Sequence, residues 1–342
     1  MIATMSAPAT SPEPSLTVGD LRSSLNLTTL LRNGIVGALI LEIIVFSIVA
    51  DRFLTVSNLR LILLQTSVIL ILAVPSAILL LSGYVDFAVG STVGLCAVVL
   101  GRLLAGGWSV WSACITIVLM ALGIGLIQGG LVTYSKMPTF VVTLGAFTGL
   151  RGLAFVVNDG RISNQFGRTF AHIGRGLVRV LDIPVPVGLA LLVFLIVTVF
   201  LYQTRWGRYV KAIGINPTAA FRAGIKVKLI PMLLYGATSV AAAIGAMIAV
   251  SRLDSAPPTL GEGLELDVLS AVLLGGVAFS GGRGNLLGVF AGVLFIGVLN
   301  NGLLLFGVQP FWFRVSAGAA LVVAAGLDAI TRRIEDKRAG VG

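Results

Sequence analysis

Charge is scarce in this sequence. Asp, Glu, Lys and Arg make up 11% of its 342 residues, less than half of the ~25% usual in a soluble domain. Hydrophobic residues reach 57% and the mean hydropathy is +1.02. A soluble core of this size has no room for that much apolar surface, so an ordinary globular domain is excluded. Histidine occurs once, at His172, and the two cysteines, Cys96 and Cys114, both fall inside apolar segments. That supports neither a disulfide framework nor a metal site. Also missing are a G-x-x-x-x-G-K-[ST] phosphate loop, a His-Glu metal pattern and a Gly-x-Ser-x-Gly elbow. The chain therefore has no visible means of cradling ATP and no recognisable hydrolytic centre. Acids are few, and within or beside the apolar segments Glu42, Asp86 and Asp328 have no evident sequence partner. An ion-coupled secondary transporter normally carries a paired acidic or cation site at mid-membrane, so this class stands as the second reading.

What is present is a series of continuous apolar runs rich in Leu, Val, Ile, Ala and Gly, each long enough as a helix to cross a ~30 Å hydrocarbon layer. Barrel strands would instead alternate over roughly ten residues. The runs fall near 34–50, 61–82, 87–106, 109–132, 139–157, 184–202, 229–251, 268–280, 285–306 and 312–330. This predicts an all-α, polytopic transmembrane bundle of about ten spans, with eight to ten as the range. The segment 268–280 is short and contains Gly275 and Gly276, so it reads either as a span or as a half-span. Residues 1–33, rich in Ser, Thr and Pro, read as a flexible cytoplasmic tail with no signal-peptide pattern. Residues 34–330 form the transmembrane region, and 331–342 form a cytoplasmic basic tail.

The net charge of +10 is explained by topology rather than by nucleic acid, because Lys and Arg gather in cytoplasmic loops facing anionic lipid. The loop 203–228 carries Arg205, Arg208, Lys211, Arg222, Lys226 and Lys228 without an acid, and the C-terminal tail carries Arg332, Arg333, Lys337 and Arg338. Both are placed in the cytoplasm. Four spans separate them and six precede the loop, so both termini are cytoplasmic. Against this count, the outer loop 158–183 holds Arg161, Arg168, Arg175 and Arg179.

Within the basic loop, INPTAAFRAGI (215–225) spells a short surface helix. Asn216 suits the cap, Pro217 the first helical position, Ala219 and Ala220 the body and Gly224 the stop. It is either an ordered loop or a helix that docks into a groove on a soluble partner. A weak internal echo joins SGYVDFAVGSTVG (82–94) to SGGRGNLLGVFAG (280–292), a spacing that chance among glycine-rich spans also produces.

The same loop resembles the coupling motif of ATP-binding-cassette importer permeases, whose Glu-Ala-Ala followed by Gly stands here as Thr218, Ala219, Ala220 and Gly224. The missing acid is similar to the branch that serves ribose and related sugars. SGYVDFAVGS (82–91), PTFVVTLGAFTGLRGLAFVVNDG (138–160), GRYVKAIGINPTAAFRAGI (207–225), GEGLELDVLSAVLLGGVAFSGGRGNLLG (261–288) and NNGLLLFGV (300–308) agree with it in order. The acidic-leucine-serine form of its first motif reads Asp86-Phe87-Ala88 here. The resemblance implies a dimerising permease of a bacterial inner membrane that meets an extracytoplasmic sugar-binding protein outside. Inside, separate ATPase subunits holding ATP and magnesium drive it, through Asn216, Pro217, Thr218, Ala219, Ala220, Arg222 and Gly224. The second permease copy is either identical or different.

A sugar path needs amides for hydroxyls and rings for C–H faces. Gln65, Gln128, Phe140, Asn300 and Asn301 are the candidates, with helix-to-helix hydrogen bonding as the alternative for each. Glu42, Asp86 and Arg151 are the other polar groups expected to face protein or water, Glu42 and Arg151 also reading as structural or snorkelling groups. Gly275, Gly276, Gly281 and Gly282 read as close-packing or gating positions.

Overall fold

The computed structural model describes residues 18–178, 183–309, 312–313, 315–323 and 325–326. Helix α1 (Val18–Val49) is followed by α2 (Val56–Leu81), α3 (Val89–Ala105), α4 (Val110–Thr133) and α5 (Thr139–Val157). After a short α6 (Arg168–Arg175) come α7 (Val185–Gln203), α8 (Arg205–Ile215), α9 (Pro217–Arg222), α10 (Leu229–Leu253), α11 (Leu264–Leu274) and α12 (Leu286–Leu305). Residues 315–323 are helical again. Each apolar run thus contains a helix. The stretch 18–33, which composition assigns to a flexible tail, belongs to α1. Residues 1–17 and 331–342 lie outside the described residues.

Capping fixes several of the boundaries. Thr55, Ser109, Thr204 and Asn216 each accept a backbone N–H three residues on, satisfying donors that a helix start leaves open. Pro217 occupies the first position of α9, where its missing N–H costs nothing.

Among the described residues, six helices are long and apolar enough to cross a membrane, and they differ in how far the protein encloses them. In the most apolar window of α2 and α10, 72% and 67% of residues are buried, against 17% in α5 and α7. So α2 and α10 form the interior, together with α3, α11 and α12, while α5 and α7 present leucine, valine and phenylalanine outward to lipid or another subunit. Inside the helix α2, Pro75 removes one N–H from the ladder.

Helix α11 has 11 residues and so rises about 16 Å, roughly half the ~30 Å hydrocarbon thickness. It is a half-span. The chain reaches its start through the two-residue strand 255–256 and a run of turns over 258–263 that pass along the face of α3. A Cβ on Gly101 would lie 2.7 Å from Ala256 Cβ, one on Gly94 2.8 Å from Leu260 O, and one on Gly90 2.5 Å from Gly261 O. Three glycines on one helix thus make the trough in which residues 256–261 lie. Irregular backbone at this depth is tolerated only when enclosed by protein, and here α3 and α5 enclose it.

At the end of the bundle that carries α6, two-residue strands pair Ser163 with Ala256 and Asn164 with Ser255, and Leu177–Val178 with Ile183–Pro184. The loop that contains α6 is further held to the end of α10, where Gly174 N donates to Ser251 Oγ (2.8 Å) and Ser251 Oγ donates to Phe170 O (2.6 Å).

Candidate functional site

The break between α2 and α3 places a polar cluster inside the bundle. The fold makes the turn with Gly83 at φ +87°. Asp86 Oδ1 then accepts from Ala88 N (2.8 Å), and its Oδ2 accepts from Thr238 Oγ1 (3.4 Å) on α10. Tyr235, fully enclosed, donates its hydroxyl to Val85 O (3.0 Å), and its ring meets Tyr84 edge-on with centroids 6.4 Å apart. The first turn of the half-helix α11 closes the other side. Ser76, Leu80, Asp86, Glu265 and Val268 line a cleft between α2 and α11. It has room for about a single water molecule, so the cleft is shut at this level.

Arg151 of α5 explains how the descending segment is held. Its Nη1 donates to Pro258 O (2.7 Å) and Leu260 O (2.8 Å), and the charges of Glu262 and Glu265 act on it. Two carbonyls that no helix or sheet satisfies thereby obtain a charged donor, which is worth more than a neutral one.

The predicted path residues fall in different places. Asn301 is buried and exchanges two amide hydrogen bonds with Asn58 of α2, both 2.9 Å. That is the helix-to-helix role left open by composition. Gln128 is buried, and neither its Nε2 nor its Oε1 has a partner among the described residues. It sits on the face of α4 whose Gly125 and Gly129 press against Tyr235 and Met232 of α10. Phe140 is 59% exposed on the first turn of α5 and faces away from the interior, while Gln65 and Asn300 are half-buried. The five residues do not converge. The side chains that do converge are Ser76, Tyr84, Asp86, Tyr235, Thr238 and Glu265. Of these, Asp86 stood out in the sequence as an acid in an apolar run. Tyr84 and Glu265 lie within quoted motifs, but Thr238 and Ser76 are small hydroxyls indistinguishable from their neighbours.

At the end of the bundle where α7 meets α8, α9 is a six-residue helix capped by Asn216, whose Oδ1 accepts from Ala219 N (2.9 Å). Pro217, Thr218, Ala219, Phe221 and Arg222 are exposed and Ala220 is buried. Gly224 supplies the positive φ (+80°) that ends the turn. The preceding α8 anchors this helix to the bundle. A Cβ on Gly214 would strike Leu81 O, and Gly282 N donates to that same carbonyl (2.8 Å). Gly281, at φ +81°, lies so close that its Cβ would sit 2.7 Å from Gly83 N. The two echoing Ser-Gly turns, 82–83 and 280–281, therefore touch each other beneath α8. Gly275 packs its α-carbon against Val289 of α12, whereas Gly276 (φ +81°) has open space at its Cβ position. Tyr202 donates to Asn285 Oδ1 (3.0 Å) and completes the inner junction.

Comparison with known proteins places the chain among membrane permeases. Residues 58–325 match the family described as branched-chain amino acid transport system / permease component. The ribose import permease protein of Bacillus subtilis (strain 168) is 38% identical over 292 residues, covering 85% of this chain and 90% of that protein. The ribose import permease protein of Escherichia coli (strain K12) is 34% identical, over 85% and 91%. The D-allose transport system permease protein of the same organism is 32% identical, over 82% and 86%. An ion-coupled carrier finds no support among these names. No solved structure matches the chain. By the family match across most of its length, the chain belongs to this family of multi-pass inner-membrane permeases, the transport subunits of ATP-binding-cassette importers.

Proposed function

We propose that this permease moves a pentose, or a polyhydroxy solute of similar size, into the cytoplasm by alternating access. The observation that carries the reading is the cluster of Asp86, Thr238, Tyr235, Tyr84, Ser76 and Glu265 around a shut cleft between a broken span and a half-helix. Carboxylates and hydroxyls accept and donate to sugar hydroxyls, and aromatic rings pack against the C–H faces. Buried Gln128 supplies a further amide one layer away. Ribose and allose, in the relatives' names, are solutes of this chemistry.

The energy enters at α9. Residues Asn216, Pro217, Thr218, Ala219, Ala220, Arg222 and Gly224 dock in a groove of a cytoplasmic ATPase subunit, which holds the ATP and magnesium. Its closure displaces α9 and α8 together. Because Gly214 rests on Leu81 and Gly282, that displacement is delivered to both Ser-Gly turns at once. Gly275, Gly276, Gly281 and Gly282 are the positions that yield. An extracytoplasmic binding protein delivers the solute to the outer face, and a second permease copy, identical or different, completes the pore. The permease domain spans 34–330 with its coupling loop at 203–228.

The test is uptake of labelled ribose into vesicles containing this chain, its ATPase and its binding protein, with each component omitted in turn. Uptake that needs all three and survives an ionophore supports the reading. Uptake by the chain alone, collapsed by an ionophore, overturns it.

A further inference from the structure

The outer face carries more arginine than an outer face should. Basic residues are disfavoured on the translocated side of a short loop, yet Arg60, Arg175 and Arg252 come together there from three separate elements. They line one cleft with Leu64, Gly174 and Pro184. Its volume is about 240 Å³, room for a phosphate group together with several water molecules at ~30 Å³ each. Two of the three guanidinium groups are positioned by backbone. Arg175 donates through Nε (3.0 Å) and Nη2 (2.8 Å) to Arg252 O, and Arg252 Nη1 donates to Leu64 O (3.2 Å). Arg60 makes no hydrogen bond or ion pair among the described residues. No carboxylate among those residues neutralises the trio, so three positive charges share a concave surface with most of their donors unspent.

We propose that this cleft binds the phosphate of an anionic glycerophospholipid in the outer leaflet. Depth favours lipid over a soluble partner. Arg60 lies about one turn inside the start of α2, and Arg252 is one residue from the end of α10, the level at which headgroups sit. Leu59, Leu63 and Leu253 are exposed beside them, offering apolar surface where acyl chains begin. Arg252 reaches inward to Leu64, two turns along α2, and Arg175 folds back onto Arg252. The Arg252 guanidinium is thus drawn toward the span, with Arg60 and Arg175 exposed beside it at the mouth of the cleft. Arginine suits the task because its planar donors engage two phosphate oxygens at once. A bound lipid would tie α2, α6 and α10 together on the outer face.

The experiment is native mass spectrometry of the whole chain titrated with phosphatidylglycerol, and in parallel with phosphatidylcholine of the same acyl chains. Arg60→Gln breaks no internal bond and leaves the fold intact; Arg161→Gln, outside the cleft, is the control. Wild type and Arg161→Gln are expected to retain phosphatidylglycerol equally, and Arg60→Gln to retain at least fivefold less, with phosphatidylcholine unchanged in all three. Inorganic phosphate alone at millimolar concentration is expected not to displace the lipid. Equal retention by Arg60→Gln overturns the proposal. So does displacement by inorganic phosphate, which assigns the cleft to a free anion, or loss of binding-protein affinity in Arg60→Gln with lipid retention intact, which assigns it to that partner.

Discussion

Arg151 illustrates how a single side chain decides the shape of the interior. A guanidinium in a membrane span is expensive unless it is paired or bonded, and this one gives Nη1 to Pro258 O and Leu260 O, while its buried Nη2 has no hydrogen-bond partner among the described residues. Replacing it with Met, of similar length, leaves both carbonyls without their donor in a region with little water. Hydrogen bonds to charged groups are worth roughly 1.5–3 kcal/mol each. Arg151→Met should therefore lower the unfolding temperature in detergent by several degrees and abolish uptake. Arg151→Lys, with one compact cation in place of a planar fork, should recover stability more than transport. Asn301 is expected to behave in the opposite way. Its reciprocal bonds to Asn58 stitch α12 to α2, an interaction worth about 0.6–2 kcal/mol between membrane helices. A double-mutant cycle with Asn58→Ala and Asn301→Ala should return a coupling energy of that size while solute selectivity stays unchanged. A changed selectivity would move Asn301 into the path.

At the scale of elements, the inner junction is a lever with very short arms. Helix α9 is too short to be stable alone, so its position is dictated by its cap, its stop and the buried Ala220. An Ala220→Arg change drives a long charged side chain between α9 and the body of the protein. The expected result is normal insertion, with transport at least tenfold lower and ATP hydrolysis by the assembled complex no longer tied to solute. Full transport would remove α9 from the coupling route. The helices themselves were legible in the sequence because a continuous apolar run of this length has almost no other stable form in lipid. Even the half-span α11 could be suspected from its shortness and its glycine pair. The descent of residues 256–261 could not. In the sequence Pro257, Pro258 and Glu262 fall between the apolar runs 229–251 and 268–280, and the groups that enclose this backbone, Arg151 and the α3 glycines, lie about a hundred residues or more away in the chain. The same long-range pairing hid the character of Asn301, since an amide in a span looks alike whether it faces a solute or another amide. The contact between the two Ser-Gly turns was foreshadowed by their echo, but the echo alone says nothing about proximity.

Over the whole molecule, the proposed function requires the cleft between α2 and α11 to open alternately to each side. Both walls are built to permit it. Pro75 has no N–H to give to the α2 ladder, immediately before Ser76, which lines the cleft. Opposite, α11 hangs between the run of turns that precedes it and the glycine-rich turn that follows it, with positive φ at Gly261, Gly263, Gly276, Gly281 and Gly282. A half-helix suspended in this way can tilt without breaking hydrogen bonds to a continuing span. A cysteine at position 76, introduced as Ser76→Cys after removal of Cys96 and Cys114, would report this motion. In the isolated chain the cleft admits about a single water, so a membrane-impermeant thiol reagent should label it slowly from either side. With ATPase, ATP and loaded binding protein present, labelling should accelerate at least fivefold and become sensitive to added solute, because solute and reagent then compete for one opening. Acceleration without protection by solute would mean that α2 and α11 separate while the solute passes elsewhere. Labelling that never accelerates would mean that the walls of this cleft do not part during transport at all.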